Sequence, residues 1–256
     1  MKVATFNVNS IRARSKMVLA WLRKESPDVL CLQETKVPDK DFPKKEFEDM
    51  GYHPIFRGEK SYNGVAIVSK NHAKDVRIGF DENETEGTRL IAATINNIPI
   101  VNTYVPQGFH PLSEEFRRKL DWLQRLYYYF SENFDPKRPL LWVGDFNIAP
   151  GPADVYDPDL LLGQVGYHPD EHANLQRLRD WGFVDVFRMH KPEGDQYTFW
   201  DYRIKNAVKR GMGWRIDHIW ATRSLAERST GSWIDIDERL KEKPSDHTPV
   251  LAEFDI

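Results

Sequence analysis

Six short polar groups hold most of the chemistry open to this sequence. They are Asn7 with Asn9, Glu34, Tyr104, Gly144-Asp145-Phe146-Asn147, Asp217, and Ser245-Asp246-His247. Each interrupts or ends an apolar run, so each falls at or just past a strand candidate. Burying an unpaired carboxylate or amide costs several kcal/mol. So many are tolerated most simply if they gather at one mouth of the sheets and satisfy one another, a metal and a substrate. That is also where α/β folds place their sites. The set offers carboxylate oxygen for a hard cation, a carboxylate that can act as a base, and an Asp217–His247 pair. In that pair the carboxylate would fix the imidazole tautomer and raise its proton affinity.

The elements that must position these groups read as a mixture of strands and helices. Strand candidates are Val3–Val8, Val29–Gln33, Gly64–Ser69, Leu90–Ile95, Ile98–Val105, Leu140–Asp145, Arg215–Ala221, Ser232–Ile236 and Thr248–Phe254. Several are apolar and β-branched at consecutive positions, as strands covered on both faces should be. Asn96-Asn97 between two of them suits a hairpin turn. The clearest helix spans Glu114 to Phe130, with Phe116, Leu120, Leu123, Tyr127 and Phe130 at steps of three and four, Ser113 as cap, and Glu114 and Glu115 in its first turn. A second runs roughly Ala13 to Glu25 with Val18, Trp21 and Leu22 inward. A third runs roughly Asp170 to Trp181 and ends at Gly182. Helices mixed with hydrophobic strands give an α/β fold, sheets sandwiched between helices.

Composition excludes several classes. The chain has 256 residues, 40% hydrophobic and 29% charged, an ordinary globular balance rather than a disordered one. Cys31 is the single cysteine, so no intrachain disulfide or multi-cysteine zinc site can form. The N-terminus turns polar too soon for a signal peptide, and the uncharged stretch from Leu90 to Ser113 is interrupted by Asn and Pro. The expectation is a soluble, cytoplasmic protein with no membrane partner. Net charge is −3, not the basic balance of a protein that coats nucleic acid. A positive surface must therefore be local, and Tyr202 to Ile216 supplies one, with Arg203, Lys205, Lys209, Arg210 and Arg215 and no acid.

Asn7-Val8-Asn9, Leu32-Gln33-Glu34-Thr35-Lys36, Asn102-Thr103-Tyr104-Val105-Pro106, Gly144-Asp145-Phe146-Asn147, Gly213-Trp214-Arg215-Ile216-Asp217 and Ser245-Asp246-His247 together resemble the exonuclease III family of abasic-site endonucleases. That family sits in a superfamily with pancreatic DNase and the inositol-polyphosphate 5-phosphatases. The resemblance runs from residue 3 to residue 254. A lone Gly-Asp-Phe-Asn is a weak signal, whereas six ordered motifs are a strong one. A site drawn from both ends of the chain implies one domain, residues 1–256. The fold implied is a four-layer sandwich, two mixed β-sheets packed face to face and flanked by helices.

The resemblance implies roles. Glu34 is the first metal ligand, for Mg²⁺ with Mn²⁺ as a substitute, and Asn9 and Asp246 contribute to the same metal or to an alternative position. Asp145 positions and activates the attacking water, and Asn147 orients it. An Asx-turn would explain the same composition. Asp217 holds a cationic His247 against the scissile phosphate. Tyr104 donates to the phosphate or, as phenolate, assists the water. Asn7 holds Asp145 or the phosphate. Phe199, Trp214 and Ile216 line an apolar pocket for a flipped-out baseless sugar, although aromatics such as Phe199, Trp200 and Trp214 more often serve packing. Lys36, Gln107, Arg203, Lys205, Lys209, Arg210 and Arg215 contact DNA phosphates. The implied partner is double-stranded DNA with abasic sites or blocked 3′ ends, bound by a nucleoid-associated monomer. The sequence departs from better-known members of the family at Phe109-His110, where one of them carries a wedge arginine, and at Arg203, where the same one carries a wedge methionine. The function expected is Mg²⁺-dependent incision 5′ to an abasic site, leaving a 3′-hydroxyl, with 3′→5′ exonuclease and 3′-end-cleaning activity. A small-molecule or lipid phosphatase would share Glu34, Asp145, Asp217 and His247. A non-catalytic DNA-binding module would have lost the acids.

Overall fold

The computed structural model describes residues 1–81 and 87–256. Among the described residues, twelve strands form two six-stranded mixed sheets. The first, in spatial order, is β11 (Ser229–Ile234), β12 (Val250–Phe254), β1 (Lys2–Asn7), β2 (Val29–Gln33), β4 (Val65–Ser69) and β3 (His53–Arg57). The second is β5 (Lys74–Ile78), β6 (Leu90–Ile95), β7 (Ile98–Tyr104), β8 (Leu141–Asp145), β10 (Asp217–Thr222) and β9 (Phe183–Asp185). At the heart of each sheet one pair is parallel, β1 with β2 and β7 with β8. The helices are α1 (Ile11–Glu25), α2 (Lys44–Glu48), α3 (Glu114–Asn133), α4 (Pro158–Leu161), α5 (Pro169–Trp181), α6 (Val186–His190) and α7 (Arg223–Ala226).

Three apolar layers hold the stack together. Val3, Val29, Cys31, Ile67, Ile91, Ile100, Leu141, Val143 and Ile219 fill the space between the sheets. Phe6, Leu30, Leu32 and Ala66 point the other way, onto Val18, Trp21 and Leu22 of α1. Trp142, Phe146 and Trp220 leave the second sheet on its outer face and meet Trp122, Leu126 and Phe130 of α3 and Leu178 of α5. This is the expected four-layer sandwich. The period-two alternation of strands produces it, since neighbouring residues on one strand serve opposite layers. Asn96 and Asn97 both take positive φ, the twist a tight hairpin needs, and turn β6 into β7.

The nine strand candidates all appear, with ends shifted by a few residues. The sequence reading passed over β3, β5 and β9. Each is a sheet edge. β3 contains Pro54, four of the five residues of β5 are exposed, and β9 has three residues. Edge strands need not carry a two-sided apolar pattern. α3 differs too. Leu120 and Tyr127 are only half-buried, while Trp122, Leu126, Tyr129 and a charged residue, Lys119, lie in the buried face.

Candidate active site

The inner faces of both sheets change character toward one end. Above the apolar layer comes a layer of amides and hydroxyls. Gln33 Nε2 donates to Asn102 Oδ1 at 2.7 Å and to Thr5 Oγ1 at 2.9 Å, and Asn102 Nδ2 donates to the carbonyls of Leu32 and Ala66. One step further along β1, β7, β8 and β10 stand Asn7, Tyr104, Asp145 and Asp217. The strand register sets this placement, because Asp217 pairs with Asp145 across β10 and β8, and Tyr104 with Asp145 across β7 and β8. Gly144 has to be glycine. It sits at φ 136°, and a Cβ there would come within 1.9 Å of the Thr103 carbonyl oxygen.

The loops that follow the strands carry strain. Asn9, Glu34, Lys36 and Asn147 all adopt left-handed backbone at φ 40°, 52°, 54° and 50°. For Glu34 and Lys36 that conformation costs on the order of 1 kcal/mol or more, and such outliers gather at functional sites.

The side chains form one connected cluster. Asn7 Nδ2 donates to Glu34 Oε1 and to Asp145 Oδ2, both at 2.8 Å. His247 Nδ1 lies 2.8 Å from Asp217 Oδ2, and its Nε2 lies 3.8 Å from Asp145 Oδ2. Ser245 Oγ accepts from the His247 amide and donates to the Asn7 carbonyl, fixing the histidine loop to β1. Thr198 Oγ1 accepts from the amides of Ile216 and Asp217 and so fixes the start of β10. The sequence reading had not singled out Thr198.

Charge follows from these distances. Burial disfavours imidazolium at His247, but Asp217 and Asp145 outweigh it and raise its pKa to about 10. Burial, with Asp217 and Glu34 as like charges, pushes Asp145 up to about 7, against the pull of His247 and Asn7. Burial acts upward on Glu34 too, yet Lys36 and Asn7 hold it below the usual carboxylate range. Tyr104 is pushed well above its ordinary value by burial, Glu34 and Asp145. It is therefore a neutral phenol, a hydrogen-bond donor. Arg89 stacks over its ring at 4.8 Å and donates to its carbonyl at 3.2 Å.

Glu34, Asp145 and His247 present ligand atoms within 4.8 Å of one another, an acidic group able to hold a metal. An imidazolium has no lone pair to give, so the oxygens are the useful half. Lys36 Nζ lies 2.6 Å from both Glu34 Oε2 and Asn9 Oδ1, and Asn9 Nδ2 donates to Asp246 Oδ1 at 3.0 Å. This rim of oxygens already gathers one cation, and its donor chemistry fits a hard divalent ion.

The cluster opens into a cavity of about 440 Å³, lined on one side by Glu34, Tyr104, Asn147 and His247 and on the other by Leu161, Phe199, Trp214 and Ile216. Phe199 bridges to both Trp214 and His247 through its backbone, and its ring lies 4.9 Å from that of His247. Trp200 turns away into a separate cluster with Tyr197 and Ala207, whereas Phe199 and Trp214 pack beside Leu161 and Ile216 and also line the cavity.

The sequence pattern of the Endonuclease/Exonuclease/phosphatase family matches residues 4–247. The chain belongs to this family. It is 38% identical to exodeoxyribonuclease III of Haemophilus influenzae over 99% of this chain and all of that protein. It superposes on the solved structure of an AP endonuclease from Archaeoglobus fulgidus with TM-score 0.97 and 47% identity, covering both chains in full. A 3′ phosphatase from Neisseria, NExo, solved with a product DNA hairpin, gives TM-score 0.95 and 37% identity over both full chains.

Of the basic residues singled out in the sequence, Arg203 lines the cavity, and not all the others lie where the sequence suggested. Arg203, Lys205, Lys209 and Arg210 are exposed on the loop that follows Trp200, with Arg203 paired to Asp201 at 2.6 Å. Gln107 is exposed at the cavity edge, while Lys36 is turned inward onto Glu34. Arg215 cannot contact DNA. It is fully buried and paired with Asp154 at 2.7 Å and Asp185 at 2.6 Å. Strand β10 begins two residues later and carries Arg215 into the interior. There it also lies 2.9 Å from His218 Nδ1. Burial and the Arg215 charge depress the proton affinity of His218 and hold that ring neutral. Among the described residues no helix is long and apolar enough to cross a membrane.

Proposed function

We propose that this family member is a metal-dependent DNA repair nuclease, a hydrolase that cuts the phosphodiester 5′ to an abasic site and leaves a 3′-hydroxyl, with trimming of 3′ ends as a second activity. The observation that carries the reading is the cationic His247 held between Asp217 and Asp145 at the floor of a cavity whose other wall is apolar. A cation on the floor suits a phosphate. An apolar wall of Phe199, Trp214 and Ile216 suits a sugar without a base and gives a full nucleotide nothing to hydrogen-bond.

Each side chain then has a task. Asp145 takes the proton from the attacking water, since an affinity near neutrality suits a base. The phenol of Tyr104 is raised too far to do so and donates to a phosphate oxygen instead. Asn7 holds Asp145 and Glu34 in register, and Asn147 orients the water. His247 faces the phosphate as a cation, its tautomer and orientation fixed by Asp217. Glu34, with Asn9 and Asp246 along the same rim, would hold Mg²⁺ or Mn²⁺, which when bound neutralises charge on the phosphate and the leaving oxygen. The exposed Lys205, Lys209 and Arg210 meet duplex phosphates, and the protein works as a single domain and a monomer in the cytoplasm, at the nucleoid.

The test is cleavage of a labelled duplex with one abasic analogue, with Mg²⁺ and with EDTA, beside an undamaged duplex and an inositol phosphate. Metal-dependent incision 5′ to the lesion, far faster than loss of the control, supports the reading. Release of phosphate from the inositol compound with no incision would replace it with the phosphatase reading.

A further inference from the structure

Lys119 lies in the buried face of α3 among Phe116, Trp122 and Leu123, and its side chain is wholly inaccessible to solvent. A lysine there has to be matched. Its ammonium donates to the carbonyl of Asn147 at 2.8 Å and to that of Gln107 at 3.2 Å, and lies 2.5 Å from Glu171 Oε1. Three donors thus meet three acceptors. Glu171, also wholly buried, accepts from the amides of Gly166 at 2.8 Å and His168 at 3.0 Å. One ion pair therefore joins three segments around the cavity: the Gln107 loop, the Asn147 loop after β8, and the Gly166–His168 turn. Gly166 lines the cavity beside Trp214, and a methyl group added there would meet the Trp214 ring at 3.3 Å and the Asn147 carbonyl at 3.4 Å.

We infer that Lys119 and Glu171 form a positioning brace that holds the apolar wall of the cavity at a fixed distance from Asn147, and so sets selectivity for a sugar without a base. The inference rests on the proposed function and adds to it residues that touch neither substrate nor metal. A buried ion pair is weak evidence for stability, because its desolvation cost rivals its attraction and a well-packed apolar pair of the same size often does as well. What an apolar pair cannot do is hold two carbonyls and two amides of three separate loops. Specification of loop geometry is therefore the property the pair supplies. Catalysis is sensitive to such geometry, since a displacement of about 1 Å at a reacting group can cost about 100-fold in rate.

The test compares wild type with Lys119→Met and with the double variant Lys119→Met/Glu171→Gln. The single variant leaves Glu171 as an uncompensated buried charge and is expected to be unstable. The double variant carries no buried charge and is expected to fold, with a melting temperature above that of the single variant and below that of wild type, because the carbonyls of Asn147 and Gln107 lose the ammonium donor. On an abasic duplex its kcat should fall about 10- to 100-fold while KM stays within about threefold, and its preference for the abasic over the undamaged duplex should shrink. A folded double variant with wild-type kcat and wild-type preference would overturn the brace. A second arm needs no substrate: the amides of Gly166 and His168 should exchange with solvent about tenfold faster or more in the double variant. Unchanged protection there would also overturn it. Failure of wild type to incise any abasic duplex would instead refute the proposed function, with the exchange arm still judging the brace.

Discussion

Asp217→Asn tests the electrostatic core of the proposed mechanism. The change keeps the shape of the side chain and removes its charge, 2.8 Å from His247 Nδ1. The gap between about 10 and the ordinary 6.5 for His247 corresponds to roughly 5 kcal/mol in favour of imidazolium, and Asp217 is the largest favourable contributor. Without it, burial drives the ring toward neutrality, so at pH 8 the phosphate would meet a neutral imidazole in an unfixed tautomer. The expected loss is about 10²- to 10⁴-fold in kcat with little change in DNA affinity. Single-turnover incision from pH 6 to pH 10 reads it. Wild type should gain rate as Asp145 loses its proton through about pH 7 and then hold it until the pH nears 10, whereas the variant should lose rate from near neutrality. The stability sign agrees. A raised imidazole pKa contributes stability that is full below about 6.5 and is lost as pH rises through about 10. Urea melts of the two proteins should therefore differ most near pH 6, draw together above about 6.5 and converge near 10. A variant with wild-type turnover at pH 8, or with its alkaline limb unmoved, would refute the reasoning.

Three further outcomes follow from the same geometry. Asp145 folds with a raised pKa, so relative to the unfolded chain its contribution is best below 3.8 and is lost as pH rises through about 7. Asp145→Asn should abolish incision yet raise the melting temperature at pH 8 by calorimetry, and a lowered one would contradict the assignment. Arg215→Met leaves Asp185 buried without its ion-pair partner and Asp154 with Arg188 alone, so denaturant melts should show a loss of about 3–5 kcal/mol while the folded fraction binds DNA as before. Wild-type stability would put Arg215 back on the surface. Replacing Lys205, Lys209 and Arg210 with Ala should flatten the log–log salt dependence of DNA affinity by about 2–3, from a wild-type slope of about −4 to −5, and an unchanged slope would remove the loop from the interface.

The central strands were legible because burial on both faces leaves a continuous apolar run, as in Val29–Leu32 and Val65–Val68. The edges were not, because β3, β5 and β9 gain their hydrogen bonds from one neighbour and need no such pattern. Asn7, Glu34, Asp145, Asp217 and His247 stood out as polar residues at the ends of apolar runs, and the fold brings all five together. Arg215 misled because a charge run shows the cations and hides the acids, and Asp154 and Asp185 are 61 and 30 residues away. Lys119 left one readable trace. It occupies the helix face that Phe116, Leu123 and Phe130 mark as apolar, a place where a lysine must have a buried partner.

Asp217 and Asp145 stand directly opposite each other on β10 and β8, an arrangement that costs energy wherever both are charged. His247 resolves it by lying between them as a cation, and burial together with the residual repulsion keeps the pKa of Asp145 near 7, where it can accept a proton. One residue further on, across from Gly144, His218 faces the opposite layer beside Arg215 and is held neutral. Two buried histidines in one neighbourhood thus carry opposite charge states, and the difference is which face of the second sheet each one meets. The period of two along β10 sets that face. Slipping β10 by one residue against β8 would exchange the layers, placing Asp217 among the aromatics of α3 and leaving His247 without the carboxylate that keeps it charged. The T-shaped pair of Trp142 and Trp220 on the outer face, centroids 5.3 Å apart, locks the register that the inner face needs for chemistry. Packing on the side away from the substrate is therefore what gives the site its charge.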